Sequence, residues 1–303
     1  MNSRERVIAT VRHEKTDRVP RGEILIDDSV VESFLQRRGV AFEQRLDFVT
    51  ALGLDLICLT PSFSFQSEAA ALPEPSQADW RDLDNWVSRT DRFVFVMVDG
   101  IFGWGVRLWG FQKFMVTLAR QDSSLTDFFR AVEALNRALV RQAKDRGAMG
   151  VLLADDIAYQ QGLIINPELL RRHILPSIAR QVRSFKEAMV LPVFFHSDGN
   201  LNDIMDDLAE TGLDGLQCIE SAAGMDLAVV KECYGDRLCL WGNLDPTYLT
   251  SSRTHGEVFQ HVRSIIRAAG NEGGFIFGTS SGLFRGVKPE NLAWVFEALN
   301  VPP

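Results

Sequence analysis

The sequence predicts an α/β protein with a single-domain (β/α)8 (TIM) barrel, and three observations favour that fold. Eight short apolar runs end in hydrogen-bonding residues, and amphipathic helical patterns follow most of them. The runs are continuously apolar, which is typical of parallel strands that are buried on both faces. The length of 303 residues suits one such barrel without a second core. A doubly wound open sheet is the alternative, but the first strand-to-helix turn lacks a glycine-rich phosphate fingerprint.

The eight predicted strands are defined by their apolar runs and by the polar residues that close them. They lie at residues 19–27, 54–60, 93–100, 151–156, 191–196, 215–220, 238–245 and 274–281. The fifth strand is the clearest, because its apolar run stops abruptly at the polar letters HSDGN. Asn200, the last of these, is predicted to cap a helix that ends at Gly212.

Apolar residues at helical spacing predict the helices that pack around the strands. A short helix at residues 4–12 is expected to cover the bottom or the side of the barrel. A continuous helix is predicted at residues 106–121, and a long amphipathic helix at residues 122–147. A later helix is predicted to reach about residue 189 with a kink at Pro176, because proline has no N–H to donate.

The regular pattern breaks at about residues 61–92, which we expect to be an irregular insertion. A segment of this length without clear periodicity is either a disordered insert or a functional loop over the barrel mouth. Four aromatic residues favour the ordered loop, because disordered linkers are poor in aromatics. They are Phe63, Phe65, Trp80 and Trp86.

The composition and the net charge limit the classes of partner that the protein can have. The chain has 46% hydrophobic and 24% charged residues, and its formal net charge is −8. This charge argues against nucleic acid or an anionic membrane as a partner, since both call for a basic face. An apolar signal core and an apolar run long enough to cross a bilayer are both missing, so a cytoplasmic location is expected. The four cysteines lack zinc-finger spacing, and Cys58 and Cys239 read as buried strand residues.

Barrels of this kind place their chemistry at the carboxyl ends of the strands. The predicted strand ends carry twelve polar or reactive residues. They are Glu23, Asp27, Asp99, Asp155, Asp156, His196, Asp198, Cys218, Glu220, Asn243, Asp245 and Ser280.

His196 and Asp198 form the central pair of this set. An imidazole and a carboxylate at a strand end suit either a divalent metal, typically zinc, or a general acid and base. Two ligands do not complete a metal site, so other strands must supply the rest, and the nearest candidates by layer are Glu220, Cys218, Asp155 and Asp156. For Asp198, satisfying the amide groups at the following helix start is an equal alternative.

Asp155 and Asp156 are adjacent, so their side chains point to opposite faces if the strand geometry persists. Only one of them then faces the centre of the mouth, and the other caps a loop or pairs with an arginine. Tyr159 and Gln160 follow within reach of a polar ligand.

Two further groups are candidates for substrate binding. Asn243 and Asp245 close strand seven as a ligand-facing polar pair, although Asp245 precedes a proline and equally fits the start of a turn. Phe102, Trp104 and Trp109 either line an apolar pocket for a ring-shaped ligand or belong to ordinary packing.

With these residues laid out, the chain resembles the uroporphyrinogen decarboxylase superfamily. The resemblance rests on RERVIATVRHEKTDRVPRG at the start, DDIAYQQG at strand four, FFHSDGNLNDIMDDL at strand five, GLDGLQCIE at strand six, GDRLCLWGNLD at strand seven and FIFGTSSGLFRGVKPENL at the end. It implies a (β/α)8 barrel over nearly the whole length. It is compatible with a homodimer, while the sequence itself leaves the oligomeric state open.

The resemblance departs from true uroporphyrinogen decarboxylases. Those enzymes use an arginine-rich segment after strand one and a histidine in the strand-eight loop. This chain has Arg21 alone near strand one, followed by Glu23 and two aspartates, and residues 279–286 contain no histidine. Because an acidic mouth repels an acidic porphyrinogen, we do not expect decarboxylation in the heme pathway.

The other large branch of the superfamily comprises methyltransferases of corrinoid-dependent systems. Its coenzyme M members bind zinc with His-x-Cys at strand five and a cysteine near strand eight. This chain has His196-x-Asp198 at strand five, and Ser280 and Ser281 near strand eight. Oxygen donors beside one imidazole suit the oxygen of a methyl ether better than a thiol.

The resemblance therefore implies a methyltransferase that moves a methyl group from a small O-methyl compound, such as a methoxyaromatic one, to cobalamin on a separate corrinoid protein. Zinc would act as a Lewis acid, with ligands from His196, Asp198, Glu220 and Cys218. The catalytic residues would be His196, Asp198 and Asp156. The substrate would be bound by Tyr159, Gln160, Asn243, Asp245, Phe102, Trp104 and Trp109.

Two other functions are kept as alternatives. The first is a metal-free decarboxylase or lyase that acts on another carboxylic acid, with His196 and Asp198 as acid and base. The second is a non-catalytic binding barrel.

Overall fold

The apolar runs form eight parallel strands that pair in chain order. The computed structural model describes residues 1–63, 71–270 and 272–301. Each strand is hydrogen-bonded in parallel to the next one along the chain. The strands are β1 (Gly22–Glu23), β2 (Leu56–Leu59), β3 (Phe93–Asp99), β4 (Gly150–Ala154), β5 (Val193–His196), β6 (Gly215–Cys218), β7 (Cys239–Leu244) and β8 (Phe275–Thr279).

The first and last strands meet and close the sheet into a barrel. A parallel bridge joins Arg21 to Phe277, and the Phe277 N–H donates to the Pro20 carbonyl over 2.8 Å. The predicted (β/α)8 barrel is therefore confirmed. β1 is much shorter than the predicted residues 19–27, and beyond Glu23 the pairing with the last segment of the barrel continues only as a single bridge between Ile26 and Leu283.

Fourteen α-helices pack around the barrel in the described part of the chain. They are α1 (Ser3–Val11), α2 (Asp28–Leu35), α3 (Phe42–Ala51), α4 (Leu83–Arg89), α5 (Ile101–Trp109), α6 (Phe111–Ala119), α7 (Ser124–Asp145), α8 (Pro167–Leu169), α9 (Leu175–Met189), α10 (Met205–Glu210), α11 (Leu227–Tyr234), α12 (Thr247–Thr250), α13 (His255–Ala269) and α14 (Pro289–Asn300). None of the described helices is both long and apolar enough to cross a bilayer.

The barrel interior is filled by side chains rather than open. Phe95 packs against Phe194 and Trp241, with ring centroids 5.2 and 5.4 Å apart, and all three side chains are fully buried. Val7 of α1 belongs to the same buried cluster, so α1 covers this core as predicted. Because the interior is solid, a ligand site must lie at the mouth.

The prediction of one continuous helix at residues 106–121 is wrong. α5 already begins at Ile101, directly after β3, and ends at Gly110. The backbone of Gly110 has φ +79°, a left-handed conformation that glycine adopts at little cost, and α6 starts again beyond it.

The predicted kink near Pro176 takes the form of a π-helical turn. This turn covers Leu170–Ile174 and joins α8 to α9. Pro176 lies in the first turn of α9, where its missing N–H leaves the local helical ladder incomplete.

The segment at residues 61–92 is more regular than predicted. It holds a short antiparallel pair (Ser62–Phe63 with Ala78–Asp79) and α4, while Phe65 lies outside the described residues. Trp80 and Trp86 are 1% and 2% exposed, so they belong to the core and not to a lid. The sequence pattern missed α4 because its buried face is only two residues wide.

Candidate active site

β5 carries His196 to the mouth of the barrel. The strand register places it level with Ala154 on one side and Gln217 on the other. The imidazole is 7% exposed, and its Nδ1 atom is hydrogen-bonded to Oε1 of Gln217. Its Nε2 atom faces two carboxylates, 3.5 Å from Oδ1 of Asp156 and 3.9 Å from Oδ1 of Asp198.

The two adjacent aspartates after β4 have different roles, as the strand alternation predicts. Asp155 is buried and accepts the backbone N–H groups of Phe102 (3.0 Å) and Gly103 (2.7 Å) at the start of α5. Burial raises the pKa of the Asp155 carboxyl to about 7. Asp156 is exposed, faces His196 and accepts the Asp198 N–H over 3.1 Å. Asp155 therefore orders α5, and Asp156 belongs to the site.

β6 brings a thiol and a carboxylate to the other side of Asp198. The buried Cys218 donates its thiol hydrogen to Oδ1 of Asp198 over 3.3 Å, and burial raises the pKa of this thiol well above its usual range. The backbone turns at Cys218 and Ile219, with φ values of +97° and +54°. Glu220 follows this turn and accepts the Gly199 N–H over 2.8 Å.

These side chains form two overlapping groups with metal-ligand spacing. In each group, one donor atom from every residue lies within 4.8 Å of the others. Asp198 belongs to both groups, with Asp156 and His196 on one side and Cys218 and Glu220 on the other. Three of the four predicted metal ligands, Asp198, Cys218 and Glu220, therefore lie in one group. The fourth, His196, lies in the other group with Asp198 and Asp156, which the sequence had also named as a candidate.

The predicted polar substrate residues are spread around this cluster. Tyr159, which is 50% exposed, and Gln160 lie in and after a short strand beyond β4. Asn243 is buried at the end of β7, where its Nδ2 donates to the Ile219 carbonyl over 3.1 Å. Its Oδ1 has no hydrogen-bond partner among the described residues. Asp245 accepts the Thr247 N–H over 2.8 Å, which is the turn that was the alternative for this residue.

The sequence and the fold of this chain were compared with those of known proteins. Residues 96–301 match the family model described as uroporphyrinogen decarboxylase. The chain belongs to the uroporphyrinogen decarboxylase family. A uroporphyrinogen decarboxylase of Chlorobium phaeovibrioides is 32% identical over 130 residues, which cover 42% of this chain and 36% of that relative. The same enzyme of Pelodictyon phaeoclathratiforme is 26% identical over 223 residues, which cover 72% of this chain and 60% of that relative.

A solved structure resembles this family member over its whole length. A methyltransferase from Methanosarcina mazei superposes with a TM-score of 0.78 and 16% sequence identity, covering 99% of this chain and 98% of that one. At this identity the likeness shows the shared fold.

The side chain of Arg21, the arginine closest to β1 in this family member, does not reach the mouth of the barrel. This arginine precedes β1, and its Nη2 atom donates to the Leu299 carbonyl (2.9 Å) and to Oδ1 of Asn300 (2.8 Å). Both acceptors lie at the end of the last helix, on the side where the barrel strands begin. Arg21 is therefore not placed to bind a carboxylate at the strand ends.

The predicted aromatic residues of this family member pack mainly against protein. Phe102 contacts Phe114 with ring centroids 5.8 Å apart, and Trp109 contacts Phe128 at 4.6 Å. Trp104 is 2% exposed and lies under the guanidinium of Arg107. These contacts match the packing alternative, and a role in holding a ring-shaped ligand stays a prediction.

Sequence reasoning missed Gln217, although it is a lone amide inside the apolar strand letters GLQC. It also left Glu23 without a role. Glu23 is buried, accepts the Thr279 N–H over 3.1 Å, and borders a cavity of about 300 Å³ together with Phe48 and Trp86. Burial raises the pKa of the Glu23 carboxyl to about 8. For Gln217 the signal was a polar residue inside an apolar run, and for Glu23 it was a carboxylate directly before the apolar residues 24–26.

Proposed function

We propose that this protein is the methyltransferase component of a corrinoid-dependent system. It would take a methyl group from a small O-methyl compound, of the methoxyaromatic class, and pass it to the cobalamin of a separate carrier protein. The observation that carries the proposal is the cluster at the end of β5, where one imidazole nitrogen faces two carboxylates at 3.5 and 3.9 Å. The family membership and the fold shared with a methyltransferase support it.

The residues of the cluster fit a zinc ion. Imidazole nitrogen, carboxylate oxygen and thiol sulfur are the ligands that zinc takes in proteins, and zinc needs three or four of them. His196 and Asp198 would hold it, with Glu220, Cys218 or Asp156 completing the set. When bound there, zinc would supply Lewis-acid stabilisation to the departing oxygen of the ether.

The surrounding residues would bind and orient the methyl donor. The unpaired Oδ1 of Asn243 is a buried acceptor for a hydroxyl group of the substrate. Tyr159 and Gln160 lie at the exposed rim, where a carrier protein would approach. In the reaction the ether C–O bond breaks, the methyl group passes to the cobalamin, and the oxygen keeps the electron pair and takes up a proton.

A metal-free decarboxylase or lyase is the second candidate. The observation that favours it is the name of the curated relatives, which are uroporphyrinogen decarboxylases. His196 and Asp156 would then act as acid and base over their 3.5 Å separation. The position of Arg21 counts against a substrate with many carboxylates, because this guanidinium is bonded to the last helix instead.

An assay of the wild-type protein separates the two candidates. Zinc-loaded protein is incubated with a panel of methoxyarenes and reduced free cobalamin, and methylcobalamin formation is followed by its absorbance. We expect methyl transfer that depends on the protein, without release of carbon dioxide. Carbon dioxide release from a carboxylic acid in the absence of any corrinoid, with no methyl transfer from the panel, would contradict the proposal.

A further inference from the structure

Gln217 is a fully buried amide beside the proposed metal site, in the middle of β6. Its Nε2 atom donates to two backbone carbonyls of the neighbouring chain segment, those of Thr279 and Ser280, each over 3.1 Å. Its Oε1 atom contacts Nδ1 of His196. All the polar atoms of this side chain are therefore engaged, and none of them contacts a predicted substrate residue.

The two carbonyls determine which way round the amide lies. A carbonyl oxygen can only accept, so the side-chain NH2 group must face Thr279 and Ser280. In the flipped orientation the amide oxygen would lie against two other oxygens, and both hydrogen bonds would be lost. The amide oxygen of Gln217 therefore faces His196.

The Thr279 carbonyl is itself held in place. The Thr279 N–H and hydroxyl groups are both hydrogen-bonded to the buried carboxyl of Glu23. The Thr279 hydroxyl oxygen also accepts the Gly282 N–H over 2.7 Å. Closure of the barrel between β1 and β8 thus fixes one of the groups that orient Gln217.

The orientation of Gln217 decides the tautomer of His196. An amide oxygen only accepts, so Nδ1 of the imidazole must carry the hydrogen. A neutral imidazole has one N–H group, which leaves Nε2 with its lone pair directed toward Asp156 and Asp198. In water the neutral ring of histidine favours the opposite, Nε2–H form.

We propose that Gln217 is a positioning residue that holds His196 in the Nδ1–H tautomer and so presents Nε2 as a metal ligand. The hydrogen bond at one ring nitrogen commonly selects which nitrogen is free to bind. The inference rests on the proposed function only where it names a metal as the recipient of the lone pair. The tautomer itself is a property of the metal-free protein.

The test uses three variants with matched volume. Gln217→Leu and Gln217→Ile both remove the acceptor for Nδ1. Gln181→Leu is the control, because Gln181 is also buried, at 2% exposure, but its amide contacts Asn136 between α7 and α9. Nitrogen–proton correlation spectra of the metal-free proteins, recorded at alkaline pH, report the tautomer. The His196→Gln spectrum assigns the His196 signals.

We expect the Nδ1–H form in wild type and Gln181→Leu, and the Nε2–H form in Gln217→Leu and Gln217→Ile. Zinc affinity, measured by competition with a chromophoric chelator, should fall about 10- to 100-fold in Gln217→Leu and stay unchanged in Gln181→Leu. The Nδ1–H form in Gln217→Leu, or the Nε2–H form in wild type, would overturn the inference. If Gln217→Leu does not fold, Gln217→Ile, which also lacks the acceptor, decides.

The outcomes also separate this inference from the proposed function. An Nδ1–H wild-type ring that is lost in Gln217→Leu supports the positioning role even if no zinc binds. In that case the proposed zinc chemistry fails while the tautomer assignment stands.

Discussion

The His196→Ala variant is expected to lower kcat for methyl transfer by at least about 10³-fold. His196 supplies the only imidazole in the two donor groups found among the described residues. Lewis-acid stabilisation by a bound metal contributes several kcal/mol, and each 1.36 kcal/mol corresponds to about a tenfold change in rate. The rate of methylcobalamin formation at saturating methoxyarene measures the effect.

A second histidine offers the control for this variant. His255 is on α13, is 45% exposed, faces Glu297 of α14 over 3.2 Å and belongs to neither donor group. His255→Ala should keep the wild-type rate. A rate for His196→Ala within about tenfold of the wild-type rate, which corresponds to about 1.4 kcal/mol in the activation barrier, would show that His196 takes no part in the reaction.

The Glu23→Gln variant is expected to remove a large pH dependence of stability. In the unfolded chain this carboxyl has its ordinary pKa of 4.5, whereas burial in the folded protein raises the pKa to about 8. Between these pH values the unfolded chain releases a proton that the folded protein keeps. The free energy of unfolding of the wild type therefore falls as pH rises. The loss approaches about 5 kcal/mol above pH 8, since one pKa unit corresponds to about 1.36 kcal/mol.

Glutamine cannot ionise, and it keeps an oxygen that can accept from Thr279. Urea denaturation at about pH 5 and about pH 9 should show Glu23→Gln gaining stability relative to the wild type at the higher pH. Glu43→Gln is the control, because the Glu43 side chain is 58% exposed and should give no such change. Equal pH dependence in Glu23→Gln and the wild type would show that Glu23 is ionised in the folded protein throughout this range.

The local pattern of apolar and polar residues was sufficient to predict the barrel and the position of the polar residues at its strand ends. Continuous apolar runs specify strands that are buried on both faces, so each predicted strand overlaps an observed one. The same rule placed His196 and Asp198 at one strand end. It also predicted that Asp155 and Asp156 would diverge, since side chains alternate along a strand.

The sequence could not show contacts between distant segments. In the sequence, Gln217 is one polar residue in an apolar strand. Its role depends on hydrogen bonds to two backbone carbonyls that lie 62 and 63 residues away along the chain. Trp80 and Trp86 looked like lid aromatics because their partners, such as Phe42, lie on another helix. The break at Gly110 was missed because apolar spacing continues through it while the backbone does not.

The most direct measurement is elemental analysis of the wild-type protein, purified without chelator and then equilibrated with zinc and desalted. The proposed site predicts about one zinc ion per chain, because three or four protein donors suffice for one ion. Wild-type protein that retains no stoichiometric zinc, or any other divalent metal, would contradict the Lewis-acid function and leave His196 and its carboxylates as an acid and base pair.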